Sequence, residues 1–183
     1  FLINLFFIIF SLLSAKAYSL IEIDITRGNL DPLPIAVSPL FQDDNSKRNS
    51  INELKIENVG SEISLVVENN LKISGLFNPL SKEAFLQKPD IAHLKPRFED
   101  WALIKAQALI TGKVKIEDKK LKVEFRLWDI LAGREMMALA FTTVPSNWRR
   151  VGHIISDKVY ERLTGEKGYF DTRSIYVSEE GPK

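Results

Sequence analysis

His93 and His153 are the two histidines of the sequence, and paired imidazoles could hold a zinc ion or carry a proton. They lie far apart, His93 in a stretch flanked by prolines and His153 beside an apolar stripe, and neither belongs to an H-x-x-x-H or H-E-x-x-H pattern. With no cysteine to complete a ligand set, metal catalysis is not expected. His153 reads as a packed or capping residue and His93 as a solvated one. Nucleophilic and phosphate chemistry are no better served: there is no G-x-S-x-G elbow and no G-x-G-x-x-G. The pair Gly112-Lys113 lacks the preceding Gly and the following Ser or Thr of a phosphate loop. The neighbouring acids Asp43-Asp44 and Glu99-Asp100 could divide acid and base duties. Acids in a polar loop or at a helix start are, however, ordinarily solvated or dipole-stabilising. Trp101, Trp128 and Trp148 could floor a ligand platform, yet at helical or strand spacing they read as core. The side chains thus predict no catalytic residue, no cofactor and no metal.

The remaining chemistry is that of the backbone. Ser19, Leu20, Ile21, Glu22, Ile23, Asp24, Ile25, Thr26, Arg27 and Gly28 form a stretch in which three isoleucines alternate with Glu22, Asp24 and Thr26. This is the period of a strand with one apolar face. Free at one end and followed by a proline-rich turn, it can add to the sheet edge of a partner. It can equally be an edge strand of its own sheet, as most strands near a terminus are.

The elements that must position these residues follow from punctuation and periodicity. Asn29 to Pro34 breaks the chain, Ile35 to Phe41 reads as one short buried strand, and Gln42 to Ser50 as a polar loop. From about Ile51 to Ile73, apolar residues at Ile56, Val59, Ile63, Val66, Val67 and Leu71 mark one stripe of a helix closed by Ser74-Gly75. Phe98 to Gln107 is a second, shorter helical stretch introduced by Pro96, with Trp101 and Ile104 facing inward and Leu103 at the margin. Ala108 to Val144 reads as an antiparallel meander turning at Asp118-Lys119-Lys120 and at Gly133, with Met136 to Val144 its third strand. Pro145-Ser146 opens a last helix with the stripe Trp148, Val151, Ile154, Ile155, Val159 and Leu163, capped by Gly165. Ser174 to Val177 is a strand with nothing after it to pair with. The sum is an α/β domain, a mixed β-sheet packed against two or more α-helices.

Phe1 to Leu13 is apolar except for Asn4 and Ser11 and leads to Ala15-Lys16-Ala17, an A-x-A pattern before Tyr18. A membrane span needs about 20 apolar residues, so the run reads as a secretory signal peptide, residues 1–17, whose basic front portion and initiator Met precede Phe1. Its removal takes Lys16 and no acid, leaving a formally neutral remainder. A neutral chain without a block of like charge is a poor match for nucleic acid or anionic lipid, both held by clustered Lys and Arg. Without cysteine, stability must come from packing, even in an oxidising compartment.

The stretch Trp148 to Val177, with Val151-Gly-His153, Asp157, Tyr160, Leu163-Thr-Gly165, Gly168-Tyr-Phe170 and Thr172-Arg173, resembles the TolB family at the junction of its N-terminal domain and propeller. Ser74-Gly75 to Leu80, Trp101 to Val114 and Arg126-Leu127-Trp128-Asp129 extend the resemblance over nearly all of residues 18–183. The sequence departs at Lys105, where the family more often has a small residue. The resemblance implies a periplasmic, non-enzymatic protein of the Tol-Pal system that helps couple inner and outer membranes during division. It implies an arm, residues 18–28, that binds the C-terminal domain of TolA, and a propeller surface that binds Pal and shifts the arm between docked and free states. It also implies domain bounds of 29–165, with 166–183 as linker and first propeller strand, the Pal surface lying outside this chain. A periplasmic small-ligand-binding domain is the alternative, and it would show a deep pocket with converging polar groups.

Overall fold

A computed structural model of the chain describes residues 21, 23, 31–42 and 56–172. The signal-peptide stretch, Asp43-Asp44 and the strand expected over Ser174 to Val177 lie outside the described residues. β1 (Leu33–Val37), β2 (Phe41–Gln42), β3 (Phe77–Pro79), β4 (Ala108–Glu117), β5 (Lys120–Asp129) and β6 (Arg134–Thr143) form one sheet. Its order is β3-β1-β4-β5-β6, with β2 beside β4. The pairings of β1 and β2 are parallel and the β4-β5-β6 meander is antiparallel, so the sheet is mixed. Helices α1 (Val59–Ile73) and α4 (Trp148–Thr164) are long, whereas α2 (Pro89–Ala92) and α3 (Phe98–Leu103) are short.

Alternation along the strands assigns the faces. Ile35, Val37, Ala108, Ile110, Leu121, Val123, Phe125 and Leu127 point into the larger core, which α1 closes with Val59, Ile63, Val67 and Leu71 and α4 with Trp148, Val151, Ile155, Val159 and Leu163. Ala36, Leu109 and Trp128 point to the opposite face, into a smaller core with Ala92 and Trp101. All three tryptophans are therefore core residues. Trp128 Nε1 donates to Thr111 Oγ1 at 2.8 Å and Trp101 Nε1 to Gln87 Oε1 at 3.0 Å, so each buried indole N–H on the smaller core has its acceptor.

Several expectations meet local corrections. The strand expected over Ile35 to Phe41 is two strands, because Pro39 has no N–H and Leu40 N donates instead to Ser64 Oγ of α1 at 2.9 Å. α1 starts at Val59, where Asn58 Oδ1 accepts from Ser61 N at 3.0 Å. The second helix stops at Leu103 rather than Gln107: Lys105 takes a left-handed φ of 62°, which turns the chain into β4 and leaves Leu103 74% exposed. This is a backbone conformation that glycine, lacking a Cβ, would adopt with less strain. The first hairpin turns on Asp118 and Lys119, both at positive φ, as a two-residue connection between right-twisted strands requires. The third strand begins two residues early, at Arg134, and ends at Thr143. His93 is less solvated than expected: half-buried, it stacks on Phe41 at 4.6 Å, and its Nδ1 donates to Pro89 O at 3.0 Å.

α1 and α4 meet along a close seam. A Cβ on Gly152 would lie 2.8 Å from Val66 Cγ1, and Asn70 Nδ2 donates to His153 Nδ1 at 2.9 Å and to Ser156 Oγ at 3.0 Å. His153 is thus a packed residue.

Candidate functional site

α4 is where the chain's outer segments are fastened. Its last turn ends in Leu163-Thr164, and Gly165, at φ 75°, closes it with an N–H to Glu161 O at 2.9 Å. That leaves the Leu163 carbonyl among the orphan acceptors of a helix end, and Ile23 N donates to it at 2.7 Å. Ile21 and Ile23 are half-buried and pack against the larger core. Neither belongs to the sheet, whose order begins at β3 and ends at β6. Of the arm residues predicted from sequence, these two are described; Ser19, Leu20, Glu22, Asp24, Ile25, Thr26, Arg27 and Gly28 lie outside the described residues.

Residues 166–172 fold back along the same helix. The Asp157 carboxylate accepts from Phe170 N at 2.7 Å and Asp171 N at 3.0 Å. Gly168 lies so close that a Cβ there would fall 2.4 Å from the Asp157 Cα. Arg150 donates to both oxygens of Asp171 at 3.1–3.2 Å, and Tyr160 meets the rings of Tyr169 and Phe170 at 5.5 and 5.9 Å. Burial raises the Tyr160 hydroxyl above its ordinary pKa. Charge reinforcement, backbone caps and aromatic contact fix one path for this strap. The sequence reading marked its residues without their geometry; the signal was an aspartate on α4 followed, past the helix end, by Gly-Tyr-Phe-Asp.

The other predicted chemistry is dispersed. His93 and His153 sit in different layers, and Asp100 is paired with Arg97, whose Nε donates to it at 2.7 Å. Among the described residues no three His, Asp or Glu side chains gather as a metal site, and no helix is long and apolar enough to cross a membrane. The hollows are open troughs on the sheet, among them one of about 390 Å³ between the His93-Leu94 turn and the β5–β6 surface, one of about 380 Å³ over Phe41, Lys113 and Lys122, and one of about 330 Å³ between β6 and α4. At the far end of the β4–β5 hairpin, Lys122 and Lys115 donate to Glu117 at 2.7 and 3.0 Å and hold its carboxyl down at about 2.

Comparison with known proteins places this architecture. Residues 21–136 match the model of the TolB amino-terminal domain. Over 182 residues the chain is 75% identical to the Tol-Pal system protein TolB of Pelagibacter ubique (strain HTCC1062), the match covering 100% of this chain and 41% of that relative. The chain thus spans about two fifths of the length of the curated relative. The fold is that seen in the crystal structure of TolB from Acinetobacter baumannii, with a TM-score of 0.60 and 24% identity over 77% of this chain and 30% of that one. The chain belongs to the TolB family, and its mixed sheet with α1 and the β4-β5-β6 meander is the family's amino-terminal domain.

Proposed function

We propose that this chain serves as a periplasmic, non-enzymatic adaptor of the Tol-Pal system, exported by cleavage after Ala17. Its arm, residues 18–28, adds as a strand to the C-terminal domain of TolA. Through that contact the protein helps couple inner and outer membranes as the outer membrane invaginates at division, with Pal engaged by the family's propeller rather than by the domain described above. The observation that carries this reading is the way Ile21 and Ile23 are held. They shield apolar surface on the larger core, and Ile23 is fastened by a backbone bond to a helix end rather than by a ladder in the sheet. A segment held by side-chain burial and a helix cap can leave without breaking the sheet. Once free, it offers one aliphatic face and an unpaired backbone to a sheet edge.

Docked and added states compete for the same isoleucines, so partner affinity is reduced by the fraction of molecules in which the arm is docked. Both the arm and the 166–172 strap bear on α4, which favours the family expectation that events beyond the strap bias the arm. The test is titration of residues 18–183 with the C-terminal domain of the cognate TolA, beside a version lacking residues 18–28. Binding lost with the arm is the expected result. Equal binding by both versions would move the site into the domain, and no binding by either would remove the proposal.

A further inference from the structure

β6 ends the sheet order, so the edge away from β5 has no strand beside it among the described residues, and alternate N–H and C=O groups there face outward. Natural sheets protect such edges with prolines, lysines, short length or bulges. β6 is ten residues long and carries no Pro or Lys, and Met136 to Phe141 is uncharged throughout. Its register shift falls opposite Leu127/Trp128 at the Met136 end, so Met137 to Thr143 stays regular against β5. Arg162 Nε reaches the displaced Met136 carbonyl at 3.4 Å.

The edge is hollowed on both sides. On the α4 side the 330 Å³ trough is walled by Phe141, Val151 and Ile154, with Asn147 and Arg150 at its end. On the other side the 390 Å³ trough runs over Ala138 and Ala140 toward Leu94 and Arg126. An added strand would send successive side chains alternately into the two troughs, and the apolar α4 wall selects aliphatic ones.

The charges at the two ends of β6 are of one sign. Arg134 opens the strand. At the other end Asn147 Nδ2 donates to Thr143 Oγ1 at 3.2 Å, which brings the start of α4 against the strand end, and there Arg149 lies over the Trp148 ring at 4.4 Å. α4 has no acidic residue in its first turn, so the positive end of its dipole adds to Arg149. Of the nearby acids, Glu135 is paired with Arg126 at 3.2 Å and Asp171 with Arg150 at 3.1 Å, while the buried Asp129, opposite Arg134 in the ladder, accepts from Ala132 N at 2.9 Å. Arg134 and Arg149 have no carboxylate partner among the described residues. At about 3.3 Å per residue the strand between them spans roughly 30 Å.

We propose that the β6 edge and the β6–α4 groove accept an extended segment of a partner protein, roughly eight to ten residues long, aliphatic at alternate positions and acidic at both ends. The domain is then a strand acceptor at β6 independently of any strand its arm donates.

The test uses the 183-residue chain and a fluorescent synthetic peptide, Asp-Val-Thr-Val-Thr-Val-Thr-Val-Asp, followed by anisotropy and by hydrogen exchange of the complex. Saturable binding that protects Met137 to Thr143 is expected. Ala140→Lys, which places a charge on the edge, weakens it by about tenfold or more. Arg134→Glu with Arg149→Glu weakens it and flattens its dependence on salt. N-methylation of the valine amides and of the threonine amides, in separate peptides, should abolish binding in one set and spare it in the other, since alternate N–H groups face the acceptor. The arginine variant leaves the apolar edge intact, so its effect stands even if Ala140→Lys perturbs folding. Absence of saturable binding, equal tolerance of both methylated peptides, or protection away from β6 overturns the proposal.

Discussion

Glu117 shows what single side chains contribute on this domain's surface. Its carboxylate sits between Lys122 and Lys115, whose hydrogen bonds lower its pKa to about 2, while Lys122 is raised above its ordinary 10.5 by the same contact. The folded carboxylate thus binds its proton less readily than the unfolded one, so its contribution to stability is present above the ordinary 4.5 and is lost as pH falls toward 2. The Lys122 contribution has the opposite sense: present below 10.5 and lost as pH rises through its elevated folded value. All three groups face solvent, so salt screens the effect. A carbon-detected titration of Glu117 should show a midpoint near 2, rising toward the ordinary value in Lys122→Ala and in high salt. A midpoint unmoved by Lys122→Ala would mean that the triad does not persist in solution. None of this was legible in the sequence, where Asp118-Lys119-Lys120 read only as a turn. Pairing across a hairpin depends on register, and the register follows from Asp118 and Lys119 occupying the left-handed region.

At the scale of elements, periodicity located the long helices and the meander, because the buried faces of α1, α4, β4 and β5 repeat every 3.6 or 2 residues over ten or more positions. It failed where a local bond overrode the pattern: Ser64 drawing Leu40 N out of a continuous strand, and Lys105 ending α3 before its stripe ran out. It was silent on how α1 and α4 approach each other, since a glycine within an amphipathic helix does not say what it faces. Gly152 faces Val66, at a spacing that admits no Cβ without movement, and valine in a helix has little rotamer freedom with which to yield. Gly152→Ala should therefore destabilise the domain by about 1–3 kcal/mol despite alanine's higher helix propensity, read as a lower urea midpoint at unchanged slope. Val66→Ala in the same chain should recover much of the loss, because the two changes share one contact and are not additive. A stabilised Gly152→Ala protein would show that the seam is looser than described.

For the whole molecule, the mixed sheet packed against helices and the membership in the TolB family followed from the order of elements and from the Trp148 to Val177 stretch, whereas the helical cover on both faces of the sheet did not. What the order could not give was the state of the arm, because the alternation of Ile21, Ile23 and Ile25 suits a partner's edge, its own sheet and a docked segment alike. The described pair resolves part of that ambiguity: Ile21 and Ile23 lie on the larger core, outside the sheet. Complete burial of an isoleucine is worth about 1.5–3 kcal/mol, these two are half-buried, and fixing a chain segment costs about 1–2 kcal/mol per residue in backbone entropy. Burial and the one helix-capping bond are thus of the same size as the cost of ordering, and the docked arm is held only weakly. Removing residues 18–28 should lower stability by no more than about 1 kcal/mol, measured as a shift in urea midpoint, while the β4-β5-β6 ladder keeps its hydrogen-exchange protection. A loss several times larger would mean that the arm is an integral part of the core and cannot be lent to a partner. No loss at all would mean that the docked state contributes nothing in solution and sets no brake on strand donation.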